Sequence, residues 1–233
     1  MLSLVLAAAF FVGIHVGIAG TRVRDRLTAR LGEQGYLGLF SLASIGGMIW
    51  LTTAYADAPY VPLWGPLPGL RPLALPVVLL AFVLVVVGLT TPSPTVVGGE
   101  KTLEAAEPAT GIQRITRHPF LWGVAIWAAM HFVVNGNARA LVLFGAMLFL
   151  GLYGPVSIDA KRARRFGAAW ARYAAVTSNV PFLAIAQGRN QLRLGEIGWG
   201  RIAFAVVAFA AVLLLHPLMF GANPLGFLTT IRG

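Results

Sequence analysis

Long apolar segments constrain this chain more than any other feature of its sequence. A run of about 17 to 25 apolar residues is long enough to cross a bilayer as a helix. Six such segments lie at about 2–20, 36–56, 73–90, 119–135, 138–157 and 199–220. The chain is 58% hydrophobic and only 11% charged, which is typical of a polytopic membrane protein. We therefore expect an all-α integral membrane bundle of about six transmembrane helices, forming a single domain over residues 1–233.

The basic residues predict how this bundle is oriented. All 18 Lys and Arg residues except Arg71, Arg139 and Arg232 fall on one side of the six spans. Because basic residues accumulate on the cytoplasmic side, both termini are expected outside the inner (cytoplasmic) membrane. The first span lacks a basic leader region, so we expect it to be retained. The net charge of +10 then reflects orientation and contact with the lipid bilayer, and no nucleic acid partner is expected.

One segment on the basic side predicts a further helix. Residues 158–175 place Phe166, Trp170 and Tyr173 at i, i+4 and i+7, with basic residues around most of the remaining surface. This pattern is typical of an amphipathic helix that lies in the membrane interface.

The four histidines give the strongest chemical signal in the sequence. His15 and His131 fall inside the first and fourth spans, where each imidazole needs a partner because no water is present. The chain has no cysteine, which excludes thiolate ligands. Two imidazoles would leave a zinc or non-haem iron site short of ligands, whereas haem needs only two axial ligands in an apolar pocket. His15 and His131 are therefore the candidate metal ligands, and a histidine pair without metal is the alternative.

The predicted spans also give the depth of these two residues. His15 lies toward the basic side of its span and His131 toward the opposite side, with an axial offset of about 12 Å at 1.5 Å per residue. Ligands at that separation are compatible with a porphyrin lying roughly parallel to the bilayer.

The other two histidines both precede proline. His118 comes before Pro119 at the start of the fourth span, where it is expected either to cap the helix or to belong to a site. His216 comes before Pro217 near the outer end of the last span, and we expect it to snorkel or to bond a backbone carbonyl.

Several motifs resemble the NnrU family of bacterial membrane proteins, which includes carotenoid isomerases. The matching stretches are "IHVG", "TGIQRITRHPFLWGVAIW", "NGN", "RRFGAAW", "TSNVPFLAIAQGR" and "HPLMFGA". The resemblance implies an association with denitrification, meaning the production of active nitrite and nitric oxide reductases.

Resemblance to the isomerase branch of this family also implies a cofactor and a substrate class. Its haem b has histidine axial ligands that fall on His15 and His131, and its substrate is a lipophilic polyene with a cis double bond. Basic residues such as Arg117 would be available to the haem propionates. Where the isomerases carry a cysteine, this chain has Ala128, so a mechanism that uses the thiol as a ligand is not available here.

A second resemblance points to membrane methyltransferases of the isoprenylcysteine and phospholipid type. "RHPFLWG" and "DAKRARRFGAAWARY" are similar to the segments that bind S-adenosylmethionine in those enzymes. The resemblance implies a role for His118, Pro119 and Asp159 there, and Arg114 or Arg117 would pair with the carboxylate of the ligand. A third alternative is a non-catalytic factor that assists the assembly of denitrification enzymes.

Overall fold

The computed structural model describes residues 1–226, apart from the side chain of Pro68, and this part of the chain is helical without a β-strand. The α-helices are α1 Leu2–Gly13, α2 Arg22–Asp57, α3 Arg71–Thr90, α4 Pro119–Asn135, α5 Ala138–Val176, α6 Leu183–Ala186 and α7 Trp199–Phe220. A π-helical turn, Ile14–Ile18, continues α1. Arg232, which entered the prediction of orientation, lies outside the described residues.

Within residues 1–226, four helices are long and apolar enough to cross a membrane, and these are α2, α3, α5 and α7. Leu2–Ile18 and Pro119–Asn135 are shorter apolar helices. Large apolar side chains on α7, among them Phe204, Val207 and Leu214, are exposed on the protein surface. An apolar surface of this kind suits lipid, so the structure confirms a helical membrane protein.

Two of the predicted spans belong to helices that extend well beyond the lipid-length segment. Gly32 in α2 has φ 73°, and Gly167 in α5 has φ 48°, so each marks a kink between two helical parts. A positive φ is open to glycine because it has no Cβ. The basic stretch from Arg22 is therefore helical, and α5 continues past the predicted end of its span to Val176.

The predicted interfacial helix at 158–175 is present as the end of α5, but its aromatic face is not directed at lipid. Trp170 and Tyr173 are 4% and 0% exposed, and they pack with Leu103 and Ala109 of the segment between α3 and α4. The prediction of a membrane-facing aromatic surface is wrong for these two rings. The i, i+4 pattern indicates an apolar face, and it is satisfied here by protein rather than by lipid.

Small residues allow α4 to pack closely between α3 and α5. A Cβ at Gly123 of α4 would lie 2.7 Å from the carbonyl oxygen of Ala81 on α3, and one at Gly151 of α5 would lie 2.9 Å from the backbone nitrogen of Ala125 on α4. Only glycine permits backbones to approach to this distance. A tight turn at Gly136 joins α4 to α5, so this pair is antiparallel.

The main apolar core joins the first two helices to the α4–α5 hairpin. Its buried members include Leu4 and Phe11 of α1, Leu51 of α2, Ala128 of α4 and Phe144 of α5. Both His15 and His131 contact rings of this cluster, so the core determines where the two imidazoles lie.

Candidate functional site

His15 is held by its own helix and by two aromatic rings. Its Nδ1 lies 2.7 Å from the carbonyl oxygen of Phe11, one turn earlier. The imidazole lies 4.4 Å from the Phe11 ring and 5.2 Å from the Phe40 ring, centroid to centroid. Because a carbonyl only accepts hydrogen bonds, Nδ1 carries the proton. Nε2 therefore keeps its lone pair, and it has no hydrogen-bond partner within residues 1–226.

His131 has the same arrangement on α4. Its Nδ1 lies 2.9 Å from the carbonyl oxygen of Trp127, again one turn earlier. The rings of Trp127 and Phe144 both have centroids 5.0 Å from the imidazole. The Nε2 of His131 is likewise without a hydrogen-bond partner in the part of the chain that the structure describes.

The two imidazoles lie at different depths in the bundle. Gly20 lies beside Ser157 of α5, since a Cβ on this glycine would be 3.1 Å from the serine hydroxyl. His15 precedes Gly20 by five residues, which places it about five residues from the level of Ser157, toward the start of α5. His131 contacts Phe144, which lies about eight residues nearer still to the start of α5. At about 1.5 Å per residue these contacts correspond to an axial separation of about 12 Å. No cluster of three or more His, Cys, Asp or Glu side chains that could hold a metal ion forms within the described residues.

A second group of polar side chains lies at the start of α4. Asp159 of α5 receives Arg117 Nε at 3.1 Å on one oxygen and Arg117 Nη2 at 2.6 Å on the other. His118 Nε2 lies 2.7 Å from the same carboxylate. Arg117 also donates from Nη1 to the carbonyl oxygen of Thr177 at 3.2 Å. The Arg117 guanidinium and the His118 imidazole therefore share one carboxylate.

This geometry resolves the role of the His118 side chain. His118 occupies the N-cap position of α4, but its side chain makes no capping hydrogen bond and pairs with Asp159 instead. The capping alternative is therefore wrong. Burial lowers the pKa of His118 below its ordinary value, and the hydrogen bond that His118 donates to Asp159 opposes that shift without reversing it. Because a carboxylate only accepts hydrogen bonds, the His118 proton shared with Asp159 is on Nε2.

Arg114 connects three segments of the chain. Its Nε and Nη2 lie 2.7 and 3.1 Å from the two carboxylate oxygens of Glu196, and Nη2 also contacts Glu107 at 2.8 Å. Nη1 donates to the side-chain oxygen of Asn190 at 2.8 Å. The Arg114 guanidinium is the main cause that lowers the pKa of Glu196 to about 2, and a hydrogen bond from the Gly111 amide adds to it.

The structure places the predicted ligand-binding arginines differently from the prediction. We expected Arg114 or Arg117 to meet the carboxylate of a ligand, and both instead meet carboxylates of the protein. His216 bonds the Ala222 carbonyl oxygen at 2.8 Å, which agrees with the structural role that we expected. The prediction did not include Glu196, although it is the last acidic residue of a strongly basic sequence and that isolation was a usable signal.

A small cavity of about 140 Å³ lies beside His118, between the end of α3 and the start of α4. Thr91, Gln113, Phe120 and Leu121 are among the residues that line it. His118 of the Arg117–Asp159–His118 group therefore borders a cavity, and neither His15 nor His131 lines it.

Comparison with known proteins supports one family assignment. The NnrU family, described as "NnrU protein", matches residues 3–224. The 15-cis-zeta-carotene isomerase of Arabidopsis thaliana chloroplasts is 32% identical over 117 residues, which cover 49% of this chain and 32% of that protein. The Zea mays enzyme is 37% identical over 83 residues, which cover 36% of this chain and 23% of that protein. The matches thus span a third or less of these relatives, and no solved structure matches the chain. Because the family match extends over nearly the whole sequence, the chain belongs to the NnrU family.

Proposed function

We propose that this protein binds haem b inside the membrane, with His15 and His131 as the axial ligands. One observation carries the proposal: each imidazole donates Nδ1–H to a carbonyl of its own helix and leaves Nε2 free. Histidines that bind metal commonly donate their second ring nitrogen in this way, which fixes the tautomer and the ring orientation. Two imidazoles prepared alike on two different helices would hold the haem iron, one from each helix.

The surroundings of the two histidines also suit haem. Phe11 and Phe40 flank His15, and Trp127 and Phe144 flank His131, so both imidazoles are bordered by aromatic rings. Haem b, when bound, supplies an iron that exchanges single electrons. The protein residues hold the ligands in orientation and keep the environment apolar.

The family assignment suggests where this chemistry is used. We propose a redox-linked role in the membrane that supports denitrification, the process to which the resemblance points. Isomerisation of a lipophilic polyene is the second candidate, because both relatives are 15-cis-zeta-carotene isomerases. Ala128 is buried in the core close to His131 and provides no thiol, which makes a mechanism with thiol ligation unavailable.

An absorption spectrum of the purified protein tests haem binding directly. Protein produced with adequate haem and purified in detergent should show a Soret band that shifts on reduction. His15→Ala and His131→Ala should each weaken or abolish the band. His216→Ala is the matched control, since His216 bonds the Ala222 carbonyl and should leave the band unchanged. A protein without any Soret band, or a band that both variants retain, would refute the proposal.

The methyltransferase alternative is less well supported by the geometry. Asp159 is already paired with Arg117 and His118, and the neighbouring cavity of about 140 Å³ is small against the roughly 300 Å³ or more of usual ligand pockets. Calorimetric titration with S-adenosylmethionine tests it. Binding that is lost in His118→Ala would favour a methyltransferase over the haem protein.

The non-catalytic alternative makes a different genetic prediction. If the protein only assists the assembly of denitrification enzymes through a protein contact, a deletion strain should be rescued fully by both His15→Ala and His131→Ala. If haem binding is required, neither variant should rescue.

We further propose six spans, with both termini outside the cytoplasmic membrane. The four long apolar helices and the two shorter ones correspond to the six apolar segments, and most basic residues then face the cytoplasm. The chain has no cysteine, so single cysteines can be labelled without background. A membrane-impermeant maleimide should label Tyr60→Cys from outside and should leave Ala29→Cys unlabelled until the membrane is opened. The reverse pattern would invert the topology.

A further inference from the structure

Two residues that line the cavity beside His118 each have a polar atom without a hydrogen-bond partner in the described part of the chain. The Thr91 hydroxyl is buried without a hydrogen-bond partner in the described part of the chain, and the Thr91 residue is only 7% exposed. His118 gives its Nε2–H to Asp159, and its Nδ1 has no hydrogen-bond partner within residues 1–226. Thr91 and His118 both line the cavity. Leaving a buried polar group unpaired costs about 1–3 kcal/mol, so such groups commonly mark a place where something else binds.

Other polar side chains that line the cavity already have hydrogen-bond partners in the protein. Ser93 and Thr95 bond each other at 2.9 Å, and Thr95 also donates to the Arg117 carbonyl oxygen at 2.9 Å. Gln113 donates to the Pro92 carbonyl oxygen at 2.6 Å. A ligand would therefore find two polar partners, the Thr91 hydroxyl and the His118 Nδ1.

These two partners have complementary roles. With its proton on Nε2, a neutral imidazole presents Nδ1 as an acceptor, and the hydroxyl of Thr91 is free to donate. A ligand hydroxyl group placed between them would satisfy both, since it can donate its hydrogen to His118 and accept with its oxygen from Thr91. Arg117 and Asp159 compensate each other's charge nearby, so the cavity does not call for a charged ligand.

The size and the walls of the cavity define the rest of the ligand. Apolar residues provide much of the lining, including Ile112, Phe120, Leu121 and Ile158. The volume is about 140 Å³, and an apolar cavity of about 150 Å³ is sufficient for one benzene ring.

We propose that this cavity is a binding site for a neutral single-ring molecule that carries one hydroxyl group, held by Thr91 and His118. The site is separate from His15 and His131, so its failure would leave the haem proposal unaffected, and loss of the Soret band would leave this one unaffected.

Fluorine NMR with 4-fluorophenol tests the proposal. The protein in lipid nanodiscs should broaden the fluorine resonance in a saturable way, beyond the broadening by empty nanodiscs. Fluorobenzene, which lacks the hydroxyl, should bind at least fivefold more weakly, since a hydrogen bond of about 1 kcal/mol corresponds to that factor. If the broadening does not saturate, the cavity holds water alone and the proposal is wrong. If fluorobenzene binds equally well, the hydroxyl group is not recognised and the proposal is also wrong.

Four variants locate the binding. Thr91→Val keeps the shape but removes the hydroxyl, and it should weaken binding about five- to tenfold, whereas Thr91→Ser should restore most of it. Thr90→Val is the matched control, because the exposed Thr90 bonds the Val86 carbonyl of its own helix and should not affect binding. Val96→Phe should fill the cavity and abolish binding. Wild-type affinity in Thr91→Val would overturn the proposal, and this variant is expected to fold because it removes an unsatisfied group.

Discussion

His118 donates its Nε2–H to Asp159 across 2.7 Å, although the two residues belong to different helices and are 41 positions apart in the sequence. Arg117 occupies the same carboxylate through Nε and Nη2. The start of α4 is therefore attached to the middle of α5 by one carboxylate. This connection positions His118 at the wall of the cavity and compensates the charge of Arg117.

Replacing Asp159 should be costly for stability. Asp159→Asn leaves the largely buried guanidinium of Arg117 without its counter-ion. Removing one partner of a buried pair costs about 3–5 kcal/mol, and because Asp159 retains some exposure we expect about 2–4 kcal/mol. Thermal unfolding in detergent measures the loss. Asp57→Asn, at an exposed helix end, is the control and should change stability little; equal effects from the two variants would contradict the prediction.

Stability should fall in mildly acidic solution, in part because of His118. Burial lowers the pKa of this histidine in the folded protein below the ordinary 6.5. The unfolded chain therefore takes up the proton first as the pH falls, so stability from this group is complete above pH 6.5 and declines below it. The difference in unfolding temperature between pH 8 and pH 5.5 should be smaller in His118→Gln than in the unmodified protein. An unchanged difference would show that His118 does not contribute.

Glu196 should stabilise the protein at neutral pH through Arg114. Because the pKa of Glu196 is lowered to about 2 from 4.5, its contribution is present above pH 4.5 and is lost as the pH falls toward 2. Glu196→Gln should lower the free energy of unfolding at pH 7 by about 1–2 kcal/mol after allowance for solvent screening. Glu104→Gln, at an exposed position, serves as the control. If the deficit of Glu196→Gln stays the same between pH 7 and pH 3, this explanation fails.

The sequence located the lipid-length helices well where a turn residue marked their ends. The segments predicted at about 119–135 and 199–220 coincide with Pro119–Asn135 and Trp199–Phe220. Pro119 begins α4, and glycines with positive φ follow both helices at Gly136 and Gly221. Hydropathy reports contact with lipid rather than helicity. It therefore did not show that α5 continues to Val176.

For the candidate site, the sequence predicted which residue types are involved but not which residues pair with each other. Four histidines stood out by residue type, and the bonds of His15 and His131 to their own helices are local. Arg117 and Asp159 are 42 positions apart in the sequence, and Arg114 and Glu196 are 82 positions apart. No spacing rule in a single sequence connects residues at such separations. The arginines were therefore assigned to ligand carboxylates, whereas folding brings protein carboxylates to them.

Close packing between α3 and α4 should depend on Gly123. A methyl group there would lie 2.7 Å from the Ala81 carbonyl oxygen and 3.0 Å from the Val85 backbone nitrogen, and backbone atoms cannot move aside without separating the helices. Gly123→Ala should therefore destabilise the protein by about 1–3 kcal/mol, the usual cost of overpacking. Gly145→Ala on α5 is the matched control, since a methyl group there meets nothing within 4 Å and alanine favours the helix. The midpoint of thermal unfolding should fall in the first variant and stay equal or rise in the second. A Gly123→Ala protein as stable as the Gly145→Ala protein would mean that α3 and α4 are not packed backbone to backbone.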